Sequence, residues 1–114
     1  MGKKTPQIRE SPAGLFLMYQ YFCFVKTIKI KVQGRVQGVF YRQSAKEKAT
    51  ALGIKGIVKN CADDSVELIA TGKEDQLKEF IEWCREGPDR ATVTNLTTQE
   101  LTLQEFRNFS IAYF

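Results

Sequence analysis

The sequence predicts an α+β fold, the ferredoxin-like split-βαβ sandwich. Its elements run β-α-β-β-α-β with a short closing strand, and an antiparallel sheet carries two helices on one face. Three observations lead there. Residues 27–33 alternate between apolar and polar with the period of a half-buried strand. Residues 40–52 and 73–86 carry helical spacing. Strand-like runs at 54–60, 66–71 and 91–103 then fall around the two helices in the split order.

The elements follow in sequence. In the first strand, Ile28, Ile30 and Val32 point one way, and Thr27, Lys29, Lys31 and Gln33 the other. In the first helix, Tyr41, Ala45, Lys48, Ala49 and Leu52 form one stripe, and its alanines suit close packing on a sheet. Gly53 is placed to stop that helix. The run 54–60 is the second strand, 61–65 a turn and 66–71 the third strand. In the second helix Leu77, Phe80, Ile81 and Cys84 recur at i, i+3, i+4 and i+7, and Gly87-Pro88 ends it. The threonine-rich run 91–103 is the fourth strand, and FSIAYF at 109–114 alternates again as the closing strand.

The chain has 114 residues, 43% of them hydrophobic, enough for one compact domain with a real core. Residues 26–114 are expected to form that domain, with 1–25 as a flexible extension. The segment GLFLMYQYFCFV follows a basic start, as in a secretory signal. However, Tyr19, Gln20 and Tyr21 interrupt it and no small-x-small cleavage site follows. It is also too short to span a bilayer. Met18 offers an alternative start. The net charge is +4, but residues 1–26 hold +3 of it, so the remainder is nearly neutral and no basic nucleic-acid face is implied. Three cysteines, Cys23, Cys61 and Cys84, form no CxxC pair and have no histidine to join them. A disulfide framework and a zinc site are both poorly supported, and a reducing cytoplasm is the simpler setting.

The informative stretch is VQGRVQGVFYR, residues 32–42, between the first strand and the first helix. A helix start normally carries Ser, Thr, Asp or Asn as its cap and often acids in its first turn. Here it offers Gly38, Val39 and Phe40, and the first acid is Glu47. The free N–H groups and the positive dipole end are left for an external anion. Gly34 and Gly38 let the backbone curl so that N–H groups point inward, and Arg42 can aim a bidentate fork at the same place. The chemistry is that of a phosphate or carboxylate site. The glycine spacing fits neither the P-loop nor the dinucleotide pattern. On pattern alone, a glycine-containing turn with solvated arginines is the other reading.

GRVQGVFYR resembles the signature of the acylphosphatase family, roughly G-x-V-Q-G-V-x-[FY]-R. GIVKNCADDSVELIATG is similar to the family's second motif and brings Gly56, Val58, Asn60, Asp63, Val66, Glu67 and Gly72 into register. The resemblance covers roughly residues 26–114. It implies the same sandwich, and the hydrolysis of acyl phosphates to a carboxylate and inorganic phosphate. It implies that the loop Arg35, Val36, Gln37, Gly38 and Val39, with the following amides of Phe40 and Tyr41, holds the phosphate. Arg42 binds it through the guanidinium, and Asn60 orients the attacking water. No metal or organic cofactor is implied, and the partner is a small acyl phosphate acted on by a monomer, with no nucleic acid and no membrane. Two departures stand out. Asp64 occupies a usual glycine position, where a positive φ would cost of order 1 kcal/mol. Ile57 replaces a frequent tryptophan, a change of packing.

The chemistry agrees with the residue types. An acyl phosphate has a weakly basic leaving group, so holding and charge-stabilising the phosphoryl group is most of the task. Histidine is absent from the chain, which excludes a histidine triad or histidine phosphotransfer. Asn60 taken alone reads as a turn residue. Cys61 and Cys84 read as structural, Trp83 and Phe80 as packing, and Asp63 with Asp64 as a hairpin turn and not a metal site. Two other classes fit the sequence less well. An RNA-binding sandwich needs sheet aromatics, which are few here. An acylphosphatase-like domain of a larger carbamoyl-transfer system needs further domains, for which 114 residues leave no room.

Overall fold

A computed structural model describes residues 25–113. The expectations for a flexible extension, a signal-like run, Cys23 and an alternative start at Met18 fall outside the described residues. The elements are β1 (Val25–Arg35), α1 (Tyr41–Leu52), β2 (Lys55–Asn60), β3 (Val66–Lys73), α2 (Glu74–Glu86), β4 (Thr92–Leu101) and β5 (Phe109–Ile111). Their order is the split β-α-β-β-α-β with a short closing strand.

The sheet order is β4-β1-β3-β2-β5. β1 lies antiparallel to both β3 and β4, and β2 antiparallel to β3. β5 adds one parallel pairing, Ile57 opposite Ser110 on the β2 edge, so the complete sheet is mixed. That direction follows from the connection. The chain leaves β4 at one edge and reaches the other edge before β5 begins.

Period-two alternation sets which side chains meet the helices. Ile28, Ile30 and Val32 of β1, Val58 of β2, and Val66, Leu68 and Ala70 of β3 are buried. They pack with Ala45 and Ala49 of α1 and with Leu77, Phe80 and Cys84 of α2 in one core. Small alanines bring α1 close to the sheet, as the stripe implied. Phe80 meets Phe109 edge-on, with centroids 5.8 Å apart, which fastens β5 under α2. Lys48, placed on the apolar stripe by sequence, is half-buried and reaches Glu79 of α2 at 3.7 Å.

Thr27 departs from its expected polar, outward role. It lies on the open face but is fully buried. Its hydroxyl is 2.6 Å from that of Thr71 and accepts the Gln104 N–H at 2.8 Å. The β4–β5 connection folds over this end of the open face, and the two threonines satisfy its backbone.

Candidate active site

β1 ends in a bulge. Its register against β4 shifts between Gln33 and Gly34. Gly34 has φ 127°, and a Cβ there would stand 2.2 Å from the Thr92 carbonyl oxygen. Only glycine allows this approach, and the bulge turns the chain out of the sheet into the loop 36–40.

The loop is pinned from below and open above. Val36 and Val39 are buried in the core. Between and after them, Gly38 (φ 75°) and Phe40 (φ 64°) are left-handed. A Cβ on Gly38 would meet nothing within 4 Å, so this residue borders open space. Phe40 is unusual. A left-handed non-glycine residue costs of order 1–3 kcal/mol, and Phe40 is 71% exposed, so its own burial does not offset that cost. The strain sits at the N-cap of α1, where it sets the direction of the first helical N–H groups.

Helix α1 has no side-chain cap and no acid in its first turn. Its first hydrogen bond is Ser44 N–H to the Phe40 carbonyl at 3.0 Å, so the N–H groups of Tyr41, Arg42 and Gln43 precede the ladder. Helix α2 shows what the same chain does elsewhere. Glu74 and Asp75 occupy its first turn, and the Gln76 side chain accepts the Lys73 N–H at 3.0 Å. The start of α1 is thus a positive dipole end without an anion of its own. Arg42 adds a full charge in the first turn. Its guanidinium is 5.2 Å from the centroid of the Tyr113 ring, and no carboxylate pairs with it among the described residues.

Asn60 is the last residue of β2. It pairs with Val66, which pairs with Val32 near the end of β1. Asn60 therefore lies at the end of the sheet from which the loop emerges, and the alternation puts it on the helix side with Val58. Its Oδ1 is buried and has no hydrogen-bond partner among the described residues. An orphaned buried acceptor costs about 1–3 kcal/mol, and a water or ligand hydrogen is what would relieve it.

The hairpin beyond Asn60 is closed by Cys61 N–H to the Ser65 carbonyl at 2.8 Å and Asp64 N–H to the Cys61 carbonyl at 3.2 Å. Asp64 has φ 71°, the positive value that a glycine position implied. Asp63 accepts from the Ser65 hydroxyl at 2.5 Å and its N–H at 3.2 Å, and pairs with Lys31 at 2.9 Å. The Ser65 hydroxyl, then the Lys31 ammonium, hold the Asp63 carboxyl well below the usual carboxylate range. The same pairing raises Lys31. These contacts form a turn; among the described residues no three His, Cys, Asp or Glu side chains converge as metal ligands.

Loop and hairpin are joined by one side chain. The Gln37 amide nitrogen donates to the Cys61 carbonyl and to the Ser65 carbonyl, both at 2.9 Å.

The residues singled out by sequence thus divide by what they present. Arg35 is exposed at the end of β1, Arg42 is half-buried in the first turn of α1, and Asn60 is half-buried opposite. The side chains of Val36, Val39 and Tyr41 face the core, so these residues have only backbone N–H groups to offer. The Tyr41 hydroxyl donates to the Cys84 carbonyl at 2.7 Å, and burial pushes its pKa well up. Burial also pushes the Cys84 thiol up to about 12, which leaves it inert as a nucleophile. Two features escaped sequence reasoning: the fork of Gln37 onto the hairpin and the Tyr113 ring at Arg42. The glutamine in the first motif was visible, but nothing in its spacing told where its side chain turns. No helix among the described residues is long and apolar enough to cross a membrane.

Comparison with known proteins places these features in context. The sequence model of the acylphosphatase family matches residues 28–111. The chain is 51% identical over 79 residues to an acylphosphatase of Marinobacter nauticus, covering 68% of this chain and 86% of that one. Among solved structures, an acylphosphatase from Coxiella burnetii aligns with a TM-score of 0.78 at 36% identity, over 82% of this chain and 98% of that one. HypF from T. kodakarensis aligns with a TM-score of 0.69 at 30% identity, over 78% of this chain but 12% of that much longer one.

Proposed function

The chain belongs to the acylphosphatase family and is a hydrolase, and from that premise we propose how this site hydrolyses the carboxyl–phosphate bond of an acyl phosphate. The N–H groups of the loop from Arg35 through Val36, Gln37, Gly38 and Val39 to Phe40, with those of Tyr41 and Arg42, take the phosphoryl oxygens. The positive end of α1 and the Arg42 guanidinium supply the charge, and Arg42 has a planar fork suited to two of those oxygens. Arg35, exposed beside the loop, draws the anion in.

Asn60 supplies the nucleophile's orientation. A water that donates one hydrogen to Asn60 Oδ1 has a lone pair left to aim at phosphorus. The water oxygen bonds to phosphorus as the phosphorus–oxygen bond to the acyl group breaks. The carboxylate departs with the electron pair, and the water's proton passes to a phosphoryl oxygen. Products are a carboxylate and inorganic phosphate. The leaving group needs no general acid, so the absence of histidine is no obstacle.

What supports this reading is that an uncapped helix N-terminus and the orphaned buried Oδ1 of Asn60 both lie at the end of the sheet from which the loop emerges. On the same reading the enzyme works without metal or organic cofactor, as a monomer in the cytoplasm, on small acyl phosphates and not on nucleic acid or at a membrane.

Hydrolysis of benzoyl phosphate in the presence of EDTA tests it. Wild type should turn over. Arg42→Ala should lose about 10³-fold or more in kcat/KM and lose competitive inhibition by inorganic phosphate. Asn60→Ala should lose about 10²- to 10³-fold in kcat and keep that inhibition. Wild type that binds phosphate without turnover, or that needs a divalent cation, would contradict the mechanism.

A further inference from the structure

We propose that Gln37 is a positioning residue that sets the phosphate cradle and the water-orienting Asn60 at working distance from each other; this rests on the hydrolytic reading above. The sheet order explains why one is needed. β3 lies between β1 and β2, so no ladder joins the strand that delivers the loop to the strand that ends in Asn60. Among the described residues, the two bonds from the Gln37 amide are the hydrogen bonds that connect the loop to the hairpin.

Their geometry is specific. A primary amide has two N–H donors in a fixed plane. Here the single nitrogen reaches the carbonyls at both ends of the turn, Cys61 and Ser65, at 2.9 Å each. Two contacts from one rigid group fix orientation as well as separation. Asn60 is the residue immediately before Cys61, so a shift of that carbonyl moves the Asn60 backbone with it. The hairpin does not depend on Gln37 for closure. The Cys61 carbonyl also accepts from Asp64, and the Ser65 carbonyl from Cys61. Each carbonyl uses its second lone pair for the glutamine. The bonds therefore add placement to a turn that is already formed, and the Gln37 N–H in the cradle is independent of its side chain.

Misplacement of about 1 Å can cost about 10²-fold in rate. Gln37→Leu, close in size and without donors, should fold, bind inorganic phosphate within about 3-fold of wild type, and lose about 10- to 100-fold in kcat on benzoyl phosphate. If Gln37 acts through Asn60, Gln37→Leu combined with Asn60→Ala should be no slower than Asn60→Ala alone. Gln37→Glu gives a second route that survives poor folding of the leucine variant. Its carboxylate faces two carbonyls and donates to neither, whereas its acid form donates to one. Its kcat relative to wild type should rise as pH falls through that carboxyl's pKa. Unchanged kcat in Gln37→Leu, weakened phosphate binding at unchanged kcat, fully additive losses in the double variant, or a pH-independent Gln37→Glu ratio would each overturn the proposal. Active wild type with any of these sinks positioning alone, whereas inactive wild type sinks the hydrolytic reading and this one with it.

Discussion

The Arg42 guanidinium lies over the ring of Tyr113, 5.2 Å from its centroid. A guanidinium resting on an aromatic face keeps its N–H edge free for an anion while its plane is held. Tyr113 is 75% exposed, so its value is in placing the arginine and not in its own burial. At such exposure the attraction is worth about 0.5–1 kcal/mol, a factor of about 2–5. Tyr113→Ala should raise KM for benzoyl phosphate by about that factor, whereas Tyr113→Phe, which keeps the ring, should leave it near wild type. Steady-state kinetics of the two variants decide whether the ring or the hydroxyl matters.

Gly38 separates conformational strain from steric exclusion. Its φ of 75° puts any side chain in the left-handed region, at about 1–2 kcal/mol. Its missing Cβ faces open space. Gly38→Ala should therefore lower stability by no more than that strain. If the space is where phosphoryl oxygens sit, KM should rise by more than the stability loss accounts for. Urea unfolding alongside kinetics measures both; an unchanged KM would move the phosphate elsewhere.

Asp64 carries the same kind of strain on the hairpin that faces the cradle. Its φ is 71° at the hairpin turn that follows Asn60. Asp64→Gly should stabilise the protein by about 0.5–1 kcal/mol, the left-handed penalty less the extra freedom glycine has when unfolded. Asp64→Val should destabilise it by about 1–2 kcal/mol. The denaturant midpoint reports both.

Asp63 makes stability depend on pH in a defined direction. Its folded-state pKa is depressed below the ordinary 3.8, first by the Ser65 hydroxyl and then by Lys31. A depressed carboxyl contributes stability that is present above its unfolded pKa and lost as pH falls through the folded one. Wild type should therefore have the higher urea midpoint over Asp63→Asn from about pH 5 to 8, and the gap should narrow only below 3.8. The pair is exposed, so the gap should be small and shrink with added salt.

Much of this molecule was legible before any coordinates. The alternation of Ile28, Ile30 and Val32 and the stripe of Leu77, Phe80 and Cys84 correspond directly to one buried core. Both reflect a local period imposed by one apolar layer. Strand ends were less legible. β1 runs on to Arg35 because β4 pairs across the Gly34 bulge, and glycine between polar residues looks the same in a bulge as in a loop. In the site, the missing cap and the glycine pair pointed to the loop, and the second motif pointed to Asn60. The Gln37 fork and the Tyr113 contact stayed hidden because each joins segments brought together only by strand order. Thr27 hid for the same reason: its hydroxyl accepts from Gln104, on a connection far along the chain.

The strand order also bears on when the site can exist during folding. β1 is the central partner of β3 and β4, and its pairings are all between distant stretches of chain, Val25 with Lys73 and Thr27 with Leu101. Closing such long loops comes before the contacts that reward it. A refolding chain can form α1 and the β2–β3 hairpin early, but cradle and hairpin face each other only after β1 has docked. Recovered hydrolysis should then appear with the slowest conformational phase, and a refolding assay that follows turnover would time the docking of a single strand.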